Sequence, residues 1–173
     1  MPGLNLLAAS VALSMLGAPP PAKEVAAVHT PGWPINGVSP SDEFGFAIAN
    51  IGDINNDGYA DIAVGAPYED TNNTVYGSVR IYSGKTGVVL RKLDGQTPGA
   101  YLGWAVAAAG DVNGDNIPDL IVGAPDYGSA TGKAFVYSGA DGSILRTLVG
   151  QGAGDQFGSS VAGIGDINND GHD

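Results

Sequence analysis

Short apolar runs, separated by glycine-rich and acidic turns, make up most of the chain. Ile62-Ala63-Val64 and Leu120-Ile121-Val122 are wholly apolar, which is typical of a strand buried on both faces. Other runs alternate in part and end in an aromatic residue, as in Ala134-Phe135-Val136-Tyr137. Beyond an apolar N-terminal stretch, the sequence shows no sustained 3.6-residue apolar period. The pattern predicts an all-β protein.

These runs belong to a repeat of about 55 residues. The units begin at Gly37, Gly95 and Gly150. Short motifs recur in fixed order within them: Phe44-Gly45, Leu102-Gly103 and Phe157-Gly158; Gly65-Ala66-Pro67 and Gly123-Ala124-Pro125; Tyr82-Ser83-Gly84 and Tyr137-Ser138-Gly139. The two complete units differ in length between Pro67 and Gly77, which predicts a surface loop there.

The first complete unit is predicted to contain four strands, at 44–51, 61–65, 78–82 and 88–93. Four short strands at this period are the pattern of a β-propeller blade. A closed propeller takes about four to eight blades, whereas this sequence holds two complete units and part of a third. We therefore expect blades of four antiparallel strands that this chain alone does not close. A fragment of a longer protein, associating chains and an open arc are the alternatives, and the break inside the third acidic loop favours a fragment.

The predicted organisation has five segments. Residues 1–22 contain an apolar run of signal-peptide length, although no basic residue precedes it, and the alternatives are a frayed apolar N-terminus and a misassigned start. Residues 23–36 read as a linker rich in proline and alanine. The three repeat units follow at 37–94, 95–149 and 150–173.

An acidic loop recurs in each unit and begins at Asp53, Asp111 and Asp166. Side chains with oxygen atoms occupy positions 1, 3 and 5, Gly or Asn occupies position 6, and the two complete units have Asp at position 9. Calcium prefers a ring of carboxylate, amide and backbone carbonyl oxygens on a tightly turned loop. With position 7 contributing its carbonyl, the predicted ligands are Asp53, Asn55, Asp57, Tyr59 and Asp61; Asp111, Asn113, Asp115, Ile117 and Asp119; and Asp166, Asn168, Asp170 and His172.

Other interpretations of these loops agree less well with the sequence. An EF-hand needs an acidic residue at position 12 and flanking helices, but Val64 and Val122 stand there and the flanks are strand-like. An Asx-rich turn without metal does not require a repeated two-residue spacing. Magnesium is less suited than calcium to a loop that supplies every ligand from protein. The expected cofactor is Ca²⁺, in a structural role.

Together these motifs resemble the FG-GAP repeat family, which includes the repeats of the integrin α-subunit β-propeller and its bacterial relatives. The resemblance covers residues 37–173, with Leu102 in place of Phe and Asn116 in place of Gly as departures. It implies a seven-bladed propeller in the full protein, with calcium in a loop between the first two strands of a blade. It also implies an extracellular location and a role in adhesion or ligand binding. A fragment of a bacterial-type secreted member is the expected identity.

Composition narrows the possible functions. The net charge of −11 opposes docking on nucleic acid. The chain contains no cysteine, so a disulfide framework and a thiol nucleophile are excluded. The apolar N-terminal run is too short to span a bilayer. The two histidines, His29 and His172, lie in the linker and in a predicted metal loop, so no catalytic group is predicted. Asn72-Asn73-Thr74 matches an N-glycosylation acceptor.

Two functions remain open at the level of sequence. The first is a secreted or cell-surface module that binds an extracellular protein or glycan and uses calcium to hold its blades. The second is an accessory propeller of a secreted enzyme, such as a hydrolase, whose catalytic domain lies outside these residues. Both place the chemistry of recognition in variable loops rather than in the repeated motifs.

Overall fold

The computed structural model describes residues 35–169 and 171–173. In this part, the chain forms two four-stranded antiparallel sheets, and these do not close into a ring. The prediction of an all-β protein built from unclosed four-stranded blades is therefore confirmed. Residues 1–34, with the predicted signal peptide and most of the predicted linker, lie outside the described residues, as does Asp170.

Sheet 1 is built from the first repeat unit. The strands of this unit, in chain order, are β1 (Ile48–Gly52), β2 (Asp61–Ala66), β3 (Asp70–Thr71), β4 (Thr74–Val75), β5 (Ser78–Tyr82) and β6 (Val89–Asp94). The hydrogen-bonded order across the sheet is β1-β2-β5-β6, while β3 and β4 pair separately as a small hairpin. Each sheet strand follows its sequence neighbour, so the blade is a simple meander with one inserted hairpin.

One predicted strand bound needs a correction. The strand expected from Phe44 begins only at Ile48, because Glu43 and Gly45 have positive φ angles of 50° and 95° and close a turn ahead of it. The other three strands lie within a residue of their predicted bounds. The predicted loop after Pro67 contains the hairpin of β3 and β4. Asn72 is exposed at its turn, and glycosylation there stays a prediction.

Sheet 2 is built from the second repeat unit. Its elements are β7 (Ala105–Gly110), β8 (Asp119–Ala124), α1 (Tyr127–Ala130), β9 (Lys133–Tyr137) and β10 (Ile144–Val149), and the sheet order is β10-β9-β8-β7. The element α1 is a single irregular turn, since Gly128 and Ser129 have positive φ angles of 61° and 59°. It stands where sheet 1 has its hairpin. The two units thus differ in the segment whose length differs in the sequence.

One apolar core joins the two sheets. The wholly apolar strands predicted as buried contribute Ala63 from β2 and Leu120 and Val122 from β8. Ile81 of β5 is fully buried in the same cluster. Alternation along β5 follows from the period-2 geometry of a strand: Val79 and Ile81 point into this core, and their neighbours point to the other face. The strands β1 and β7 lie next to each other.

The repeated glycine motifs form the seam between consecutive units. Gly65 of the first Gly-Ala-Pro lies against the carbonyl oxygen of Gly103, so closely that a Cβ at Gly65 would collide with it. Gly123 and Gly158 repeat this contact one unit further along. Within a unit, the N–H of Gly103 donates to the carbonyl oxygen of Gly123 at 3.1 Å. Two of the recurring motifs therefore exist because backbones must approach each other here.

The described part of the third unit attaches to sheet 2 through the same kind of seam. Phe157 forms an isolated parallel bridge with Gly132, as Leu102 does with Gly77 between the first two units. The N–H of Phe157 donates to the carbonyl oxygen of Thr131 at 3.2 Å. No strand is formed within residues 150–169 and 171–173, so this segment follows sheet 2 without adding a sheet of its own.

Candidate metal-binding loops

The acidic loops connect the first two strands of each sheet. Loop 1 (residues 53–61) joins β1 to β2, and loop 2 (residues 111–119) joins β7 to β8. Asp61 pairs across the strands with Gly52, next to a register shift, and Asp119 pairs with Gly110 in the same way. Position 9 of each loop is therefore also the first residue of a strand, which anchors the loop directly to the sheet.

Two left-handed residues give each loop its tight curl. Position 6 was expected to need positive φ, and position 4 needs it as well. The φ angles at positions 4 and 6 are 57° and 89° for Asn56 and Gly58, 76° and 64° for Gly114 and Asn116, and 59° and 89° for Asn169 and Gly171. Loop 2 therefore has the same two residue types as loop 1 in swapped positions, with glycine at position 4 and Asn116 at position 6. Both residues tolerate this backbone.

The aspartate at position 1 holds the turn from inside. In loop 1, Asp53 accepts the N–H of Asp57 at 3.0 Å and the N–H of Gly58 at 2.8 Å. The corresponding bonds recur with closely similar lengths: Asp115 and Asn116 donate to Asp111, and Gly171 donates to Asp166. The first carboxylate therefore orders the loop backbone by itself, as an Asx turn does.

The aspartate at position 9 is the most buried member of each loop. Asp61 is fully buried, and its carboxylate accepts the N–H of Ile54 at 2.9 Å and the N–H of Gly84 at 3.0 Å. Asp119, also fully buried, accepts the matching pair from Val112 and Gly139. Burial raises the pKa of both carboxyl groups above 3.8, although the backbone hydrogen bonds pull it down and the neighbouring loop carboxylates push it up.

The Tyr-Ser-Gly motif contacts the acidic loops, a role that was not predicted from the sequence. Gly84 has no room for a side chain, because a Cβ would collide with the carbonyl oxygen of Ala60, and Gly139 meets Pro118 in the same way. Ser83 Oγ lies 3.2 Å from Asp57 Oδ2. The repeated spacing between loop and motif was the available signal. The turn after the third strand of each sheet therefore forms the outer wall of its acidic loop.

The middle positions of the loops bond to each other. The Asn55 amide donates to Asp57 Oδ2 at 3.1 Å, and the N–H of Tyr59 donates to Asp57 Oδ1 at 3.0 Å. In loop 2 the same donors lie at 2.9 and 2.8 Å from their acceptors, as Asn113 and Ile117 bond to Asp115. The side chains at positions 3 and 5 of each complete loop thus lie together with the backbone of position 7 on one short turn.

The third loop is described in part. Asp166 and Asn168 are exposed, while Asp170 lies outside the described residues. The imidazole of His172 packs on Gly114 of loop 2, and the N–H of Asp111 donates to Asp173 at 2.8 Å. His172 and Asp173 therefore lie against loop 2.

The chemistry of the loops fits a hard cation. In residues 35–169 and 171–173, no three His, Asp or Glu side chains converge as a ready-made metal site. The predicted ligands are nevertheless all oxygen atoms, from carboxylates, amides and carbonyls, as calcium prefers. A carboxylate offers about four lone-pair positions, so Asp53 and Asp57 retain acceptor capacity beside their backbone hydrogen bonds. Calcium binding by these loops stays a prediction.

Comparison with known proteins agrees with this architecture. The FG-GAP repeat matches residues 44–82 and 102–138, which contain both complete loops and both Gly-Ala-Pro motifs. The chain is a member of the FG-GAP repeat family. In this FG-GAP chain, each match begins at the Phe-Gly or Leu-Gly dipeptide and ends within the Tyr-Ser-Gly motif, so it encloses one complete acidic loop and one Gly-Ala-Pro motif.

Several relatives share these repeats. Integrin alpha-6 of Homo sapiens is 39% identical over 134 residues, which are 73% of this chain and 12% of that protein. Integrin alpha-3 of Mus musculus is 38% identical over 109 residues, or 60% of this chain and 10% of the relative. Phosphatidylinositol-glycan-specific phospholipase D of Bos taurus is 39% identical over 125 residues, or 66% and 14%. The FG-GAP chain thus spans a small part of each relative. Among the described residues, no helix has the length and apolarity to cross a membrane.

Proposed function

We propose that this FG-GAP chain is a calcium-stabilised propeller segment of a secreted or cell-surface protein that binds an extracellular ligand. The observation that carries the proposal is a repeated oxygen-rich loop with the same internal hydrogen bonds. In both sheets this loop connects the first two strands. The similarity to integrin alpha-6 and integrin alpha-3 supports the ligand-binding part. The ligand class is an extracellular protein or a glycan.

Calcium would act on the stability of the blades. Each complete loop gathers three aspartates, and burial disfavours the ionised form of the one at position 9. A bound divalent cation supplies the compensating positive charge. Asp53, Asn55 and Asp57, the carbonyl of Tyr59, and Asp61 would hold it in loop 1. Because Asp61 begins β2 and Asp53 follows β1, the ion would link the two strands that the loop connects.

Thermal unfolding with and without calcium tests this proposal. At free calcium ten times Kd, each site adds about 1.4 kcal/mol to the free energy of unfolding. We expect the melting temperature of the 173-residue chain, followed by circular dichroism, to rise when calcium replaces chelator. The Asp53→Asn/Asp111→Asn double variant should lose most of the rise, and magnesium should give a smaller one. An unchanged wild-type midpoint in a folded chain would contradict the proposal.

A non-enzymatic role for these residues is part of the proposal. Residues of the repeated motifs form the acidic loops, the contacts between units and the apolar core. No motif residue remains for the role of a nucleophile or a general base. Binding of the full-length protein to immobilised extracellular proteins and to glycan arrays, measured in calcium and in chelator, tests the recognition role. Calcium-dependent binding that disappears in the loop double variant supports the recognition role. Absence of binding to every extracellular protein and glycan tested, or absence of the protein from the cell surface and the medium, opposes it.

A second candidate function rests on a separate observation. The similarity to phosphatidylinositol-glycan-specific phospholipase D, a protein with an enzyme's name, supports this candidate. In this alternative the chain is the accessory propeller of a secreted hydrolase, and the catalytic domain lies outside these residues. Hydrolase activity in the full-length protein, retained at a reduced level when residues 37–173 are removed, would favour this alternative over the adhesion role.

A further inference from the structure

The two complete loops differ in the residue that follows the Tyr-Ser-Gly motif beside each of them. Each is walled by a turn that follows Tyr-Ser-Gly, and the next residue is Lys85 in the first unit but Ala140 in the second. The hydrogen bond from the glycine of this motif is repeated, since Gly84 and Gly139 donate to the position 9 carboxylate at 3.0 Å in both units. The residue after the motif is therefore a cation beside loop 1 and an uncharged residue beside loop 2.

The Lys85 ammonium lies directly on loop 1. Its Nζ atom is 3.4 Å from the carbonyl oxygen of Asp57, at position 5, and 5.4 Å from the ring centroid of Tyr59, at position 7. Ring and carbonyl are both partners that attract a positive charge. These contacts hold the ammonium beside two of the positions predicted to bind calcium. A cation so placed offsets the loop's negative charge before any metal arrives.

The turn beside loop 2 has a different charge arrangement. The N–H of Ala140 donates to Ser138 Oγ at 3.1 Å, and the methyl side chain carries no charge. The nearby cation is Arg91 of β6, which donates to the carbonyl oxygen of Ala140 at 2.8 Å from the side of the preceding blade. Asp141, one residue further along this turn, accepts the N–H of Ser143 at 2.8 Å, and the hydrogen bonds from Ser143 are the main cause that lowers the pKa of its carboxyl group. Position 140, which corresponds to Lys85, therefore carries no cation beside loop 2.

We infer that Lys85 is an affinity-setting residue, which makes loop 1 the weaker and loop 2 the stronger of the two calcium sites. The inference rests on the proposed function, because it presupposes that the loops bind calcium. The physical cause is repulsion between the fixed ammonium and the divalent ion. At a separation of about 8 Å in water, this repulsion raises a dissociation constant about fivefold at low ionic strength. Salt reduces the effect.

Calcium titrations of charge variants test the inference. Isothermal titration of the 173-residue chain with calcium chloride uses Asp166→Asn to silence the third loop and Asp111→Asn to isolate loop 1. In this background Lys85→Met should tighten calcium binding about fivefold, because it keeps an unbranched apolar stem and removes the charge. Lys85→Arg should leave the dissociation constant near its original value, since the charge is retained. Raising the sodium chloride concentration should shrink the difference between Met and Lys.

The reciprocal exchange provides a matched control. With loop 1 silenced by Asp53→Asn, Ala140→Lys should weaken calcium binding at loop 2 by a similar factor. A structural tether at Lys85 predicts another result: Lys85→Met would lower the melting temperature and leave the dissociation constant of loop 1 unchanged, which overturns the inference. Calcium binding by neither loop in a folded wild-type chain would instead contradict the proposed function itself, and the inference with it.

Discussion

Glu69 is a buried carboxylate that binds three side chains of sheet 1. It accepts hydrogen bonds from Ser78 Oγ and from Arg80 Nη2 at 2.7 Å, and it forms an ion pair with Lys92 at 2.9 Å. Arg80 is itself buried, and its Nη1 atom has no hydrogen-bond partner among the described residues. Burial alone would raise the pKa of Glu69, but the hydrogen bonds from Ser78 and Lys92 and the charge of Arg80 lower it on balance. The carboxylate is therefore held in its ionised form.

Sheet 2 fills the corresponding positions with aromatic rings instead. Tyr127 stands where sheet 1 has Glu69, Phe135 where it has Arg80, and Lys133 where it has Ser78. The Lys133 ammonium lies 3.6 Å from the ring centroid of Tyr127. One blade thus uses an ion-pair network and the other a cation–π contact at the same place in the fold, so the role of Glu69 is specific to the first unit.

Glu69→Gln should destabilise the chain in a pH-dependent way. Removing one partner leaves the Arg80 guanidinium buried without its counter-charge, which costs about 3 kcal/mol at pH 7. Because the folded-state pKa of Glu69 is lowered, its stabilisation is complete above the ordinary value of 4.5 and is lost as pH falls through the folded-state pKa. Urea unfolding measures the difference in free energy of unfolding between wild type and Glu69→Gln at pH 7 and near pH 3.5. We expect the difference near pH 3.5 to be smaller.

The neighbouring carboxylate provides the control for this experiment. Asp70 is exposed and lies outside the network, so Asp70→Asn should change the free energy of unfolding by no more than about 0.5 kcal/mol. A difference between wild type and Glu69→Gln that stays constant with pH would show that the ionised carboxylate is not the source of the stability.

At the scale of elements, the seam between consecutive units decides how the sheets associate. Leu102 is 1% exposed, and its backbone bridges to Gly77 of the preceding unit. It replaces the phenylalanine of the repeat motif, and its side chain belongs to the core cluster that joins both sheets. Phe157, in the same motif position of the third unit, is 40% exposed. Leu102 therefore has full packing on both sides.

Leu102→Ala should weaken the association of the two sheets. Truncating a fully buried leucine costs about 2–5 kcal/mol, depending on how far the surroundings relax into the cavity. Leu148→Ala removes the same atoms from a side chain that is 44% exposed, so its cost should be well below that range. Denaturant unfolding of both variants measures the difference. Equal losses in the two variants would contradict the assignment of Leu102 to a shared core.

At the scale of the whole molecule, negative charge is concentrated in the loops. The net charge is −11, and eight of the 18 acidic residues occupy positions 1, 5 and 9 of the three loops. Self-repulsion of this kind opposes the compact state. Salt screens it, since the Debye length falls from about 20 Å at 0.02 M to about 4 Å at 0.5 M.

We therefore expect salt and calcium to stabilise the chain through the same charges. In chelator, raising sodium chloride from about 0.02 to 0.5 M should raise the melting temperature by about 2–4 °C, as about 1 kcal/mol does for a chain of this size. In calcium the rise should be smaller, because bound cations already neutralise the loops. Scanning calorimetry at both salt concentrations provides the comparison, with Asp53→Asn/Asp111→Asn as the control. Equal rises of the melting temperature with salt in calcium and in chelator would show that the repulsion arises outside the acidic loops.

Much of the architecture is local enough to be predicted from sequence. Strand positions follow from runs such as Leu120-Ile121-Val122, because a strand buried on both faces needs apolar residues on both. The repeat motifs predicted the blades, and the oxygen-bearing side chains at every second loop position predicted the turn that Asp53 organises. The strand start at Phe44 was predicted wrongly, because apolar residues continue into the turn that precedes the strand. Hydropathy does not reveal that Glu43 and Gly45 adopt left-handed backbone angles there.

The sequence by itself determined the all-β class, the repeat and the members of each acidic loop, since period and residue type depend on neighbours in the chain. Only the tertiary structure decided what lies across space from them. It set Gly84 against the Ala60 carbonyl, Gly65 against Gly103, and the Lys85 ammonium on the loop that begins at Asp53. Such contacts join residues from different strands or units, and their distances depend on how the strands pair and how the sheets pack.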